Sequence, residues 1–398
     1  MNTVGVLIVV FAILAVIMIH EAGHFFAAKL FDFKATKFFL GFGPTLWSTT
    51  KGETEYGVKA IPAGGFVKIV GMNPYEEIPP EDRPRSYPNK PKWQRAIVLL
   101  AGPATHWIVA FLLLVVTVMT IGIRTDRPTN QVESISVRAR GSAERTAAAE
   151  AGIRPDDRIV AIDGQPTDTW RSISDYIRSH PDRRAVLTIE RDGERQNVEV
   201  HFGTAIFDRD GDVVAYAPPG EDVRAPAANE EVVGFLGVQP ANGYETEALP
   251  GAIGKAGSLT WEFTWGSVQG VGAIFTQVFD GTLWAEVSGS GDRELSEDSA
   301  FGIVGFAQIA GDSFARGRLF ELMMLIVGFT VFVGLMNLLP LPPLDGGHLA
   351  VLAYEATARK TVDVRKLIPI AAAVIAFFLV LFVAVLYLDI ARPVKVDF

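Results

Sequence analysis

Cysteine is absent from all 398 residues. That excludes disulfides, thiolate catalysis and cysteine-type zinc sites, so a bound metal must rely on histidine and carboxylate ligands. A basic excess is missing too: 36 Lys and Arg face 45 Asp and Glu, for a net charge of −9. Such a chain offers a polyanion no basic surface, and no nucleic-acid partner is expected. Even mixing of polar and apolar residues is also lacking. The sequence is 49% hydrophobic yet 20% charged, with the apolar residues gathered into long uncharged runs and the charges lying between them.

Four of these runs are long enough for a hydrocarbon core, which requires about 20 apolar residues. Val4 to Ala28 is broken only by His20-Glu21-Ala22-Gly23-His24. Ala96 to Ile123 carries one ionisable residue, His106, while Leu322 to Leu344 and Leu367 to Leu388 carry none. The expected fold is therefore a polytopic α-helical membrane protein, with transmembrane helices at 4–30, 96–123, 322–346 and 367–388. The first run has no basic leader and no small-x-small cleavage site before its His-Glu cluster, so it reads as a retained span.

Short-loop lysines and arginines set the orientation. Residues 31–95 hold ten Lys and Arg, residues 353–366 hold four, and none precedes the first span. The loop over 124–320, with 31 acidic and 19 basic residues, is too long to report orientation. Both basic loops are therefore expected in the cytoplasm, with the lipid bilayer between them and the acidic loop and both termini.

Region 31–95 reads as a cytoplasmic, membrane-associated β region. Its expected strands are Phe38–Leu40, Tyr56–Ala60 and Phe66–Val70, followed by a Pro- and Glu-rich linker over 73–92. Outside, alternating strands, a helix at Trp170–Arg178 and an Arg191-Asp192-Gly193 turn suggest a small α/β domain within 128–240. Residues 208–232 are acidic and read as a mobile insertion. Region 248–320 is expected to hold an amphipathic helix around Trp261–Trp284 and a linker, its Ser- and Gly-rich part over 288–299 disordered.

The chemistry lies in the first span. Histidines four residues apart share one helix face, so His20 and His24 can reach a single Zn²⁺, and Glu21 beside them can act as base toward water. Ionisable groups inside a span each cost roughly 2.5–3.5 kcal/mol on insertion scales, so three within five residues signal function. A third protein ligand is needed, and Asp345 is the best candidate. It follows Asn337-Leu-Leu-Pro340-Leu-Pro342-Pro343-Leu344, where the prolines cannot continue an ordinary helix. Broken backbone at membrane depth survives only when buried in protein or lining a cavity. The plain alternative is a proline-rich exit with Asp345 solvated. By helix rise the two histidines lie about 8–14 Å inside the cytoplasmic boundary, on the side from which Asp345 approaches.

In these residues the chain resembles the site-2 protease family, in its bacterial branch with an extracytoplasmic PDZ domain. His20-Glu21-Ala-Gly-His24 matches its metal motif, and Asn337 to Gly346 its Asn-x-x-Pro-x-Pro-x-Leu-Asp-Gly motif. Gly41-Phe-Gly-Pro44 and Gly64-Gly65-Phe66-Val67-Lys68 match its cytoplasmic motifs, and Ala151-Gly152-Ile153, Asp156 to Ile159 and Asp163-Gly164 the PDZ segment. The resemblance implies Zn²⁺ held by His20, His24 and Asp345, with Glu21 as catalytic base. It also implies substrates: single-span membrane proteins already cut outside by an upstream site-1 protease, anti-sigma factors among them, and remnant signal peptides. Its implied location is the bacterial inner membrane. Gly64, Gly65, Phe66 and Val67 would hold unwound substrate by strand addition, and Asn337 would position substrate backbone.

Two departures stand out. His106 occupies the asparagine position of the family's Gly-Pro-x-x-Asn, where it either takes over the hydrogen bonding or alters the metal shell. Phe301-Gly-Ile-Val-Gly305 replaces the usual Ser-Gly-Pro-Val-Gly. His348 is expected to stand outside the ligand set. The competing readings are an intramembrane metal transporter and an inactive PDZ scaffold.

Overall fold

The computed structural model describes residues 3–73, 76–136, 145–209, 212–289, 302–360 and 362–391. The chain divides into two compact units, one within residues 1–122 and 246–395, the other within Ile123–Glu245.

The first unit opens with α1 (Thr3–Leu30), apolar and free of proline, which ends where Asp32 turns left-handed at φ 57°. Two long strands follow, β1 (Ala35–Lys51) and β2 (Thr54–Ile69). Their register folds the hairpin over on itself. Residues 37–40 pair with 65–68 on one side and 55–58 on the other, and 45–51 pair with 54–59. The result is four-stranded in effect, in the order 45–51, 54–59, 37–40, 65–68. Gly41 (φ +87°) and Gly43 (φ +82°) supply the left-handed backbone at the bend. The sequence predicts three strands here. The one it misses, 45–51, is exposed along its whole length and so lacks the apolar alternation that marks a half-buried strand.

Helix α2 (Lys92–Thr120) runs antiparallel to α1 with Pro103 inside it. The two helices approach closely at Gly23, where a Cβ would run into the Ala101 carbonyl and lie 2.8 Å from Thr105 Cγ2. At the root of the sheet, Phe25, Ala28, Phe33, Ile69, Val98 and Leu99 form one buried cluster. Beside it, Glu53 accepts from Arg85 at 2.6 and 2.9 Å and from Lys29 at 2.5 Å. The Arg85 hydrogen bonds, with Lys29 adding to them, hold its carboxyl down to about 2.

The second unit comprises β3 (Ile123–Ile135), α3 (Ala147–Ala151), β4 (Arg158–Ile162), β5 (Gln165–Pro166), α4 (Trp170–Arg178), β6 (Arg184–Arg191) and β7 (Glu194–His201). It continues with β8 (Gly203–Phe207), β9 (Val213–Ala217), β10 (Glu231–Phe235) and β11 (Val238–Glu245). One sheet runs β11-β3-β4-β6-β7, with β5 on β4, and a smaller sheet runs β10-β8-β9. Ile159, Ile162, Ile173, Leu187, Ile189 and Phe202 form its core. Here the structure corrects the sequence reading of 208–232 as a mobile insertion. Val213-Val-Ala-Tyr-Ala217 pairs with β8, and Glu231 opens β10. A five-residue strand between acidic neighbours is too short to stand out by composition.

Returning to the first unit, α5 (Leu249–Phe279) and α6 (Thr282–Ser288) precede α7 (Ile303–Ala315), α8 (Leu319–Leu338), α9 (Asp345–Ala358) and α10 (Ile368–Ala391). The expected linker after the amphipathic helix thus contains α7. The Ser- and Gly-rich run beyond residue 289 lies outside the described residues. The N-terminus of α7 is capped from α10: Asp389 accepts N–H groups of Gly302 at 3.3 Å and Gly305 at 2.9 Å. A carboxylate at that position complements the helix dipole and satisfies two of its orphan donors. The two donors are the glycines that this segment shares with the usual Ser-Gly-Pro-Val-Gly; of the two departures, Ile303 opens α7 and Phe301 lies outside the described residues.

A second correction concerns the third span. It was expected to run to residue 346, but α8 ends at Leu338, Leu339 is extended, and Asp345 begins a separate helix. Pro340, Pro342 and Pro343 account for the break, since each removes a donor and restricts the residue before it. Among the described residues, four helices are long and apolar enough to cross a membrane: Thr3–Leu30, Lys92–Thr120, Leu319–Leu338 and Arg365–Ala391.

Candidate metal centre

His20 and His24 stand one turn apart on α1, and the loop after α8 delivers Asp345 to them at the first residue of α9. The three ligand atoms converge. His20 Nε2 is 3.0 Å and His24 Nε2 3.2 Å from the same oxygen, Asp345 Oδ2, and the two nitrogens are 3.1 Å apart. This is the one group of three His, Asp or Glu with such convergence among the described residues. Tetrahedral zinc with bonds of about 2.0–2.1 Å requires donor separations of roughly 3.3–3.4 Å. The triangle is within a few tenths of an ångström of that, and its donor set of two imidazoles and a carboxylate suits zinc. Three electron-rich atoms this close repel one another unless a cation or a proton lies between them.

Helix α2 shapes the site from behind. His24 Nδ1 is 2.7 Å from the carbonyl oxygen of Val98. Only an N–H can make that bond, so the proton of neutral His24 is on Nδ1 and the Nε2 lone pair faces Asp345. A carbonyl oxygen carries two lone pairs, so Val98 O can accept from His24 while remaining part of its own helix. Gly102 supplies the space: a Cβ there would lie 2.5 Å from Cε1 and 2.8 Å from Cδ2 of His24. Sequence reasoning missed Gly102 and Val98 as site residues. The signal was the Gly-Pro pair inside an apolar helix, where both residues are unfavourable without a packing reason.

Glu21 points toward the sheet, and its Oε2 accepts the Val67 backbone N–H at 2.9 Å. Val67 belongs to the edge segment 65–68. Gly65 lets that edge lie on α1, since a Cβ would meet Met18 Sδ at 3.0 Å and Glu21 Cγ at 3.4 Å. Gly64 has φ +149°, and its missing side chain faces Phe42. Phe66 stacks with both Phe39 and Phe42, with ring centroids 5.7 and 6.1 Å away. Gly65 and Val67 are thus brought to the carboxylate, whereas Gly64 and Phe66 lie against the aromatic rings of the sheet.

The remaining candidates divide. Asn337 sits at the end of α8 with its amide donating to Val333 O of its own helix at 3.1 Å. His348 is half-buried on α9 and outside the converging triad. His106 is fully buried, and its Nε2 is 3.1 Å from Nδ1 of His20. It therefore meets the far side of a ligand imidazole rather than the ligand triangle.

Known proteins match this chain along nearly its whole length. Residues 8–382 match the model of Peptidase family M50. Zinc metalloprotease Rip1 of Mycobacterium tuberculosis is 29% identical over 99% of both chains. Its counterpart in Mycolicibacterium smegmatis is 29% identical over 99% of this chain and 98% of its own. Metalloprotease MmpA of Caulobacter vibrioides is 26% identical over 88% of this chain and 86% of its own. A family match spanning nearly the whole sequence, with the convergent triad inside it, assigns the chain to Peptidase family M50, the site-2 proteases.

Proposed function

We propose that the protein is a zinc-dependent endopeptidase that cuts peptide bonds within the membrane-spanning segments of single-span proteins. One observation carries this reading: His20, His24 and Asp345 converge beside Glu21 on a helix long and apolar enough to cross a membrane. Names of the relatives point to the same metal and reaction class. His20, His24 and Asp345 would hold the ion, which supplies Lewis acidity when bound.

The chain's own groups carry the proton. Glu21 accepts a proton from the attacking water as its oxygen bonds to the scissile carbonyl carbon, and then gives it to the departing amine nitrogen as the C–N bond breaks. The Val67 N–H holds the Glu21 carboxylate in place between these roles. A substrate helix conceals its carbonyls in its own hydrogen bonds and must unwind before attack. The edge 65–68 takes the unwound segment as an added strand, beside the base that will act on it. Asn337, at the broken end of α8, positions substrate backbone.

The unit Ile123–Glu245 is proposed as a PDZ domain that admits substrates already trimmed by a first protease. Anti-sigma factors and remnant signal peptides have that form. The proposed setting is the bacterial inner membrane, with the β1–β2 sheet in the cytoplasm and this unit outside.

The test is cleavage of a tagged single-span substrate lacking its outer domain, by purified protein and by Glu21→Gln. Cleavage within the span by the wild type, lost with a zinc chelator and in Glu21→Gln, is the expected result. Zinc bound at stoichiometry with no cleavage, and metal flux in vesicles instead, would replace it with a transport role.

A further inference from the structure

The second helix carries a buried histidine that the reaction does not use. His106 is fully shielded, and α8 closes over it at Gly334, where a Cβ would lie 2.7 Å from His106 Cβ. Its Nε2 is 3.1 Å from His20 Nδ1, and its own Nδ1 is buried with no hydrogen-bond partner on the protein. Close packing and a single polar contact leave this ring one thing to do, which is to face His20.

We propose that His106 is a positioning residue for metal binding: its Nε2 accepts the Nδ1–H of His20 and fixes which nitrogen of His20 is offered to the ion. The inference rests on the zinc site argued above. Two neutral imidazoles in N···N contact share one hydrogen, and the other nitrogen of His20 decides which ring supplies it. That nitrogen, Nε2, is 3.0 Å from Asp345 and 3.1 Å from His24 Nε2. To bind a cation there it must present a lone pair, so the hydrogen of His20 resides on Nδ1 and His106 accepts it. His106 then carries its own hydrogen on Nδ1. The arrangement parallels that of His24, whose Nδ1 is anchored on Val98 O from the same helix. Both ligand rings are thus held by α2, one through backbone and one through a side chain.

Leucine at 106 would fill the volume and offer no acceptor. Glutamine would return an acceptor, Oε1, close to the place of Nε2. The experiment is zinc affinity of the purified full-length protein, by competition with a chelating dye, for wild type, His106→Leu and His106→Gln. Loss of such an outer partner typically weakens metal binding about 10–100-fold. That is the result expected for His106→Leu, with His106→Gln recovering to within about fivefold of wild type. Leucine binding zinc within about twofold of wild type, or glutamine no better than leucine, would overturn the proposal.

A second measurement requires no variant. In zinc-loaded wild type with ¹⁵N-labelled histidine, the ring shifts should place hydrogen on Nδ1 of both His20 and His106. Hydrogen on Nε2 of His106 would sink the idea. Wild type that binds no zinc would remove the site itself, whereas wild-type binding with an indifferent leucine variant removes only the role of His106.

Discussion

Gly102 and His24 share one space: the imidazole fills the volume that any side chain at 102 would require, with a Cβ there only 2.5 Å from Cε1. The glycine sits mid-helix, where it costs about 1 kcal/mol relative to alanine. On propensity alone, Gly102→Ala should stabilise α2. The site reverses that expectation. The added methyl would push the His24 ring off the Val98 carbonyl and out of line with Asp345. We expect zinc affinity to fall at least about tenfold, as when a ligand's outer hydrogen bond is lost, while helical content is unchanged. Zinc affinity by competition with a chelating dye, and circular dichroism on the same sample, check both halves.

Much of the site was legible because chemistry forced it into view. An intramembrane His-Glu-x-x-His has few bland explanations, and the three prolines before Asp345 announce broken backbone. What the sequence could not show is what depends on neighbours in space. Gly102 looks like a defect until His24 lies against it, and Asp389 looks like an ordinary helix end until α7 presents Gly302 and Gly305 to it. Strand 45–51 and β9 were missed for a different reason: short or fully exposed strands carry little apolar periodicity.

Asp345 contributes a single oxygen to both histidines. Asp345→Asn keeps the shape and removes the charge, so the site would hold zinc with two imidazoles and a neutral oxygen. Zinc affinity and cleavage should both fall, the latter by roughly 10²-fold or more, as for other losses of electrostatic stabilisation. Glu21→Gln should instead retain zinc and lose about 10²–10⁴ of the rate, the usual worth of a general base. Dialysis against a zinc buffer followed by a cleavage assay separates the two patterns.

The Asp389 cap on α7 predicts a local effect. Asp389→Leu leaves the N–H groups of Gly302 and Gly305 without that acceptor and removes a charge from the helix N-terminus. Removing a capping side chain costs about 0.5–2 kcal/mol. Amide hydrogen exchange in the first turn of α7 should accelerate, by roughly tenfold for each 1.4 kcal/mol lost, while exchange around His20 and His24 remains as in wild type. Equal acceleration throughout would show that the cap has no local role.

Glu53 gives the pH prediction. Its folded carboxyl is held at about 2 by Arg85 and Lys29, below its ordinary 4.5. A lowered acid pKa favours the folded form wherever the group is ionised, so this stabilisation is complete above about 4.5. It fades as pH falls toward about 2, because protonation then removes the partner of Arg85. Its ion pairs are partly open to water, with the Glu53 side chain 25% exposed. Screening therefore limits its worth to about 1–2 kcal/mol. Because Glu53 ties the β1–β2 turn to Lys29 at the end of the helix that carries the histidines, its loss should first loosen the root of the sheet. Limited proteolysis between residues 34 and 90 should quicken between pH 4.5 and pH 2 in wild type. In Glu53→Gln it should already be quicker at pH 7 and change little over that interval. Identical profiles for the two proteins would show that the sheet is held by its apolar contacts with Phe25, Phe33 and Leu99, and that the charged cluster is incidental to it.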